Sequence, residues 1–185
     1  MAAGTSMEPA VSAQTGEDSM GKILVAFYSS AGTTRKAGQA IAAALKADIE
    51  DIQEVNPRHL DVNGPGGLSK IAKIMLAGAE AQFGRLRPIR PSKYDPAEYD
   101  LVVIGTPIWN ARLTGPVRAY IERHKGQFKA VAFFRTGEDP RPSVRCFRQM
   151  EQVCGQAPKA TGNFNANDVK AGDFAQVQEF VARLA

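Results

Sequence analysis

The chain has 185 residues, 44% of them hydrophobic, which supplies one packed core and leaves little room for several independent domains. Its formal net charge is +4, but residues 1–21 carry Glu8, Glu17 and Asp18 and no basic side chain, so the remainder holds 23 basic against 16 acidic groups, a net of +7. Such an excess admits an anionic membrane surface, an acidic partner or a phosphorylated cofactor. With neither aromatic platforms nor a recognition motif beside the charge, it argues against nucleic acid.

Residues 1–21 are rich in Ala, Ser, Thr and Gly and lack apolar periodicity, which predicts a disordered tail ahead of a domain over 22–185. A secretory signal needs a basic start and an apolar run of roughly 7–15 residues. A membrane span needs roughly 18. Neither pattern is present, so the expectation is a cytoplasmic protein without an integral membrane segment. Whether translation starts at Met1, Met7 or Met20 stays open.

Ile23-Leu24-Val25-Ala26-Phe27 reads as a buried strand, Ser29-Ser30-Ala31-Gly32-Thr33-Thr34 as a hydroxyl-rich turn, and residues 37–45 as a helix. A turn between strand and helix directs backbone N–H groups outward at the positive end of the helix dipole. The hydroxyls add donors and Gly32 admits a bulky anion, so this turn is a phosphate cradle. Residues 48–55 alternate polar and apolar, with Ile49, Ile52 and Val55 apolar, and read as a short second strand, and residues 57–67 as loop. Residues 68–83 read as a helix with Leu68, Ile71, Ala72, Met75, Ala79 and Phe83 at core spacing.

Residues 99–106 form the strongest strand pattern, an unbroken apolar run suited to the centre of a parallel sheet. A loop over 107–113 leads to a helix over 114–124, with Thr114 as N-cap and Pro116 in the first turn. Residues 129–136 read as a fourth strand, 143–154 as a helix, and 158–164 as an edge strand. Residues 172–184 read as a closing helix with Phe174, Val177, Phe180, Val181 and Leu184 inward.

Cys146 and Cys154 fall in one predicted helix, about 12 Å apart at 1.5 Å per residue, too far for a mutual disulfide. They are expected to be reduced and partly buried. His59 and His124 stand alone, which argues against a metal site.

The alternation predicts an α/β fold, a five-stranded parallel sheet with helices on both faces. Such sheets bind ligands beyond the carboxyl ends of their strands. The turns after strands one, three and four should therefore share a site.

Those turns resemble the flavodoxin-like family. Its phosphate loop reads Thr/Ser-x-Thr-Gly-x-Thr, and this chain matches at Ser29, Gly32 and Thr34 while Ala31 departs from the pattern. Gly105-Thr106-Pro107-Ile108-Trp109-Asn110 is similar to the Gly-Thr-Pro-x-Trp loop of several such families. The resemblance covers about residues 22–185. It implies a flavodoxin-like three-layer sandwich with strand order 2-1-3-4-5 and FMN as cofactor. Ser29, Ser30, Ala31, Gly32, Thr33 and Thr34 would bind the phosphate; Thr106, Pro107, Ile108, Trp109 and Asn110 would lie beside the ring, with Thr136 and Gly137 in the second flavin loop. An indole plate gains roughly 0.5–1.5 kcal/mol from stacking beyond area burial, which suits Trp109. No catalytic side chain is implied.

The second loop lacks the tyrosine that many flavodoxins carry there, which leaves one ring face open or covered by Ile108, Leu113 or Arg112. Glu138 and Asp139 in that loop would disfavour the anionic reduced flavin. Arg112, Arg141, Arg145 and Arg148 are candidates to receive the 2′-phosphate of NADPH, an acidic redox partner or an acidic substrate. The basic, partly apolar segment 56–93 is compatible with peripheral membrane contact, a quinone or a second subunit.

Electron transfer is the first functional reading, with either a redox partner protein or a small-molecule acceptor. The alternative is an FMN-dependent NAD(P)H reductase acting on a quinone or similar acceptor. A flavin-free binding module on the same scaffold is a third. Family shuttles are commonly acidic, whereas this body is basic. The sequence leaves the oligomeric state open.

Overall fold

A computed structural model of the chain describes residues 21–56, 87–108, 111–139, 141 and 143–184. All but Gly21 of the expected tail over 1–21, the loop over 57–67, the helix over 68–83, and Trp109 and Asn110 lie outside the described residues. Among those described, five strands form one sheet: β1 (Ile23–Phe27), β2 (Asp48–Asp51), β3 (Leu101–Pro107), β4 (Val131–Gly137) and β5 (Thr161–Asn165). Their order is β2-β1-β3-β4-β5, every pair parallel, as the resemblance implies.

The central strands are apolar on both sides because both sheet faces are covered. Leu24, Ala26, Val102, Ile104, Val131 and Phe133 face α2 (Gly115–Arg123) and α3 (Val144–Cys154), where Val117, Tyr120, Ile121, Cys146 and Met150 complete one core. Val25, Phe27, Val103, Ala132 and Phe134 face α1 (Thr33–Leu45) and α5 (Ala175–Ala182), packing on Ile41, Leu45, Val177 and Phe180. The alternation follows from the two-residue period of a strand.

β2 differs from expectation. It stops at Asp51, and while Ile52 is buried, Ile49 and Val55 are exposed. A period of two puts Asp48, Glu50 and Ile52 on one face, so Ile49 and Ile52 cannot both point inward. The inward position belongs to Glu50, whose carboxylate accepts the backbone N–H groups of Lys93 (2.7 Å) and Tyr94 (3.1 Å). Two charge-assisted bonds make that burial tolerable.

Cys146 and Cys154 are free, buried and both in α3. Burial pushes the Cys146 thiol up to about 12, so it is protonated at neutral pH. No helix among the described residues is long and apolar enough to cross a membrane.

Candidate functional site

The carboxyl ends of β1, β3 and β4 meet at an open cavity of about 320 Å³. Its walls come from Ser29, Ala31, Thr33 and Thr34 on one side and Pro107, Ile108, Thr136 and Gly137 on the other. Glu138, Ala166 and Lys170 complete it. Of the other predicted site residues, Ser30, Gly32 and Thr106 are not part of this lining, and Trp109 and Asn110 lie outside the described residues.

The β1–α1 turn is built around Gly32, whose φ of 87° lies in the left-handed region that favours glycine. Nothing approaches within 4 Å of where a Cβ would sit. The Gly32 N–H donates to Ser29 Oγ (3.1 Å), and its carbonyl accepts the first helical bond from Lys36 (3.0 Å). Helix α1 therefore starts at Thr33, four residues earlier than the apolar pattern indicates. The N–H groups of Thr33, Thr34 and Arg35 fall in its first turn, where no intrahelical acceptor exists.

Three of the threonine hydroxyls expected at the ligand make hydrogen bonds between or within the loops. Thr34 Oγ1 and Thr136 Oγ1 are 2.8 Å apart and buried, linking the first turn to the end of β4. Thr106 Oγ1 donates to the carbonyl of Pro107 (2.9 Å) and lies 3.0 Å from Thr114 Oγ1. Since that donation uses the Thr106 proton, Thr114 donates to Thr106. Thr114, the N-cap residue of α2, makes no side-chain cap. The Ile108 N–H donates to the Thr136 carbonyl (3.0 Å), and the Leu113 N–H to Gln149 Oε1 (3.0 Å). Thr136 thus holds both neighbouring turns.

Two ion pairs belong to the third turn. Asp139 accepts from Arg141 at 2.7 Å, and the guanidinium holds its carboxyl at about 2, below the usual range. Glu138 pairs with Lys170 at 3.2 Å. Lys170 comes from α4 (Ala166–Ala171), a short helix absent from the sequence reading. Its signal was present: Asn165 caps it by accepting the Asn167 N–H (2.8 Å), and Gly172 ends it. Arg145 and Arg148 are exposed on α3, away from the cavity lining.

Sequence reasoning missed Arg135, which is 1% exposed inside β4. Its Nε donates to Asn163 Oδ1 (2.8 Å), and Nη2 donates to the carbonyls of Asp139 (2.8 Å) and Arg141 (2.7 Å). Asn163 Oδ1 also accepts the Ser143 N–H (3.1 Å). Nη1 is buried without a partner. An arginine inside a run of apolar strand residues was the signal.

A larger surface groove of about 600 Å³ runs along Ile89, Ser92, Tyr94, Arg123 and His124. It sits by the C-terminus of α2, away from the loops at the strands' carboxyl ends. His124 there is engaged by Ser92 (2.8 Å) and Gln127 (2.8 Å). The smaller cavity is the better candidate.

Among solved structures, the chain resembles a flavoprotein in complex with FMN from Lactobacillus acidophilus NCFM, with TM-score 0.63, 18% identity, and coverage of 86% of this chain and 98% of that one. It also resembles a flavodoxin, WrbA-like protein from Agrobacterium tumefaciens (TM-score 0.53, 13% identity, 89% and 94% coverage). A third is oxidised Flavodoxin 2 from Bacillus cereus (0.52, 15%, 88% and 97%). At these identities the likeness is one of fold. No curated protein sequence matches the chain. Residues 22–179 match the family model described as flavodoxin, and with that match joined to the sheet order and the site at its carboxyl edge, the chain belongs to the flavodoxin family.

Proposed function

We propose that the chain binds FMN and carries electrons between redox partners. The observation that carries this reading is the N-terminus of α1: N–H groups without helical acceptors and the hydroxyls of Ser29 and Thr33 border a cavity walled opposite by Ile108, Thr136 and Gly137. A phosphate dianion suits the positive end of a helix, and the open space at Gly32 lets one approach. The donor set therefore fits the cofactor. The fold shared with the FMN complex from Lactobacillus acidophilus supports the same ligand.

In this reading Ser29, Ser30, Ala31, Gly32, Thr33 and Thr34 form the phosphate cradle. Pro107, Ile108, Trp109 and Asn110 flank the ring, with Thr136 and Gly137 on the neighbouring loop. Thr34, Thr106 and Thr136 act mainly by fixing the turns. When bound, FMN supplies the capacity to accept and release one or two electrons. The chain binds it, orients it and limits water; no side-chain acid or base is assigned.

The alternative is an FMN-dependent reductase that takes hydride from NAD(P)H and passes electrons to a quinone or similar acceptor. The basic body, at +7, favours it over an acidic-type shuttle. A cytoplasmic setting suits either reading.

Titration of apoprotein with FMN and riboflavin, followed by flavin absorbance and fluorescence, tests the cradle. FMN should bind on the order of a hundredfold more tightly, because riboflavin lacks the charge-assisted bonds. Equal affinities, or no flavin bound, overturn the reading. Anaerobic NADPH then separates the two: bleaching within minutes identifies the reductase, and a persistent oxidised spectrum the carrier.

A further inference from the structure

The charges of the third turn are unevenly matched. Asp139 faces Arg141 at 2.7 Å and Glu138 faces Lys170 at 3.2 Å. Arg135 beneath them bonds only neutral oxygens: the Asn163 amide and the carbonyls of Asp139 and Arg141. Its remaining nitrogen, Nη1, has no partner. A Cβ placed on Gly137 would lie 2.8 Å from Nη1, so Nη1 sits beside a residue that lines the cavity.

Two prolines reduce the backbone donors of the turn itself. Its sequence is Asp139-Pro140-Arg141-Pro142, in which residues 140 and 142 have no backbone N–H. The Arg141 N–H is taken by Asp139 Oδ1 (3.0 Å). A negative charge arising beside this turn would therefore find fewer backbone donors than a turn without prolines offers, and a buried cation whose field water barely screens.

We propose that Arg135 supplies the positive charge that favours the reduced, anionic form of the flavin in this site. The inference rests on the FMN reading above and reverses the sign expected from Glu138 and Asp139, each of which is neutralised by its own cation. Reduction of the isoalloxazine adds two electrons and one proton, which bonds to N5. N1 stays unprotonated and the ring carries one negative charge. A hydride from a reduced nicotinamide, or two electrons from dithionite with one proton from water, meets that balance. Burial lowers the Arg135 pKa, but an arginine begins so high that it stays charged.

The test compares dissociation constants for oxidised and dithionite-reduced FMN, measured anaerobically at one pH, in wild type, Arg135→Gln and Arg135→Lys. Loss of the charge in Arg135→Gln should weaken reduced FMN on the order of tenfold more than oxidised FMN. Arg135→Lys loses loop bonds but keeps the charge, so it should weaken both forms alike. Arg135 would be a mere loop brace if the ratio of the two constants were unchanged in Arg135→Gln. Should the variants not fold, wild type still decides: reduced FMN is expected to bind at least as tightly as oxidised, and tenfold weaker binding overturns the proposal. Absence of any FMN binding by wild type would instead overturn the FMN reading itself.

Discussion

Asp139 and Arg141 are two residues apart on an exposed turn, joined by three side-chain hydrogen bonds, the shortest 2.7 Å. The carboxyl titrates at about 2 instead of the ordinary 3.8. A depressed carboxylate favours the folded turn above its unfolded value and loses that contribution as pH falls through the folded one. The turn should therefore keep its shape down to about pH 3.8 and open only as pH drops toward 2. NMR titration of the Asp139 side chain checks this, and a midpoint near 3.8 would mean that the pair is absent in solution. Thr136 and Arg135 show what sequence conceals at this scale. That a hydroxyl near a ligand is occupied by another loop depends on strand register, which residue type does not report. The side chains of Thr34, Thr106 and Thr136 were legible as site residues, and their structural bonds were not.

Helix α1 illustrates how an element exceeds its pattern. Its apolar face begins at Ala37, yet Gly32 starts the helix at Thr33, because capping depends on backbone conformation and not on burial. At the other end the cap is Lys46, left-handed at φ 51°, where α3 and α4 have glycine. A side chain there is strained, so Lys46→Gly should stabilise the protein by about 0.5–1 kcal/mol, read as a raised urea midpoint with unchanged slope. The sheet was legible because central parallel strands are apolar throughout. β2 was read too long because an edge strand of four residues offers too little periodicity to fix its end. α4 was missed because six residues give less than two turns of pattern.

At the scale of the whole sheet, β1, β3 and β4 lie between two cores, while among the described residues β2 and β5 each pair on one side only. Opening the edges exposes less apolar surface than opening the centre. Amide exchange should accordingly be slowest at Val103, Ile104 and Phe133 and faster in β2 and β5. Edge amides protected as strongly as the centre would indicate that something covers them. The parallel sheet and the turns that form the cavity followed from alternating patterns, whereas the family and the strand order followed from the resemblance carried by the motifs in those turns. The counter-charges followed only once the strands were aligned. The Thr34–Thr136 hydrogen bond joins positions 102 residues apart. During synthesis, which proceeds from the N-terminus, the first wall of the cavity emerges long before the second. A chain released before β4 would carry the glycine turn and its helix but enclose nothing. Ligand capture thus requires that both walls have been made and brought together, which the first turn alone cannot do.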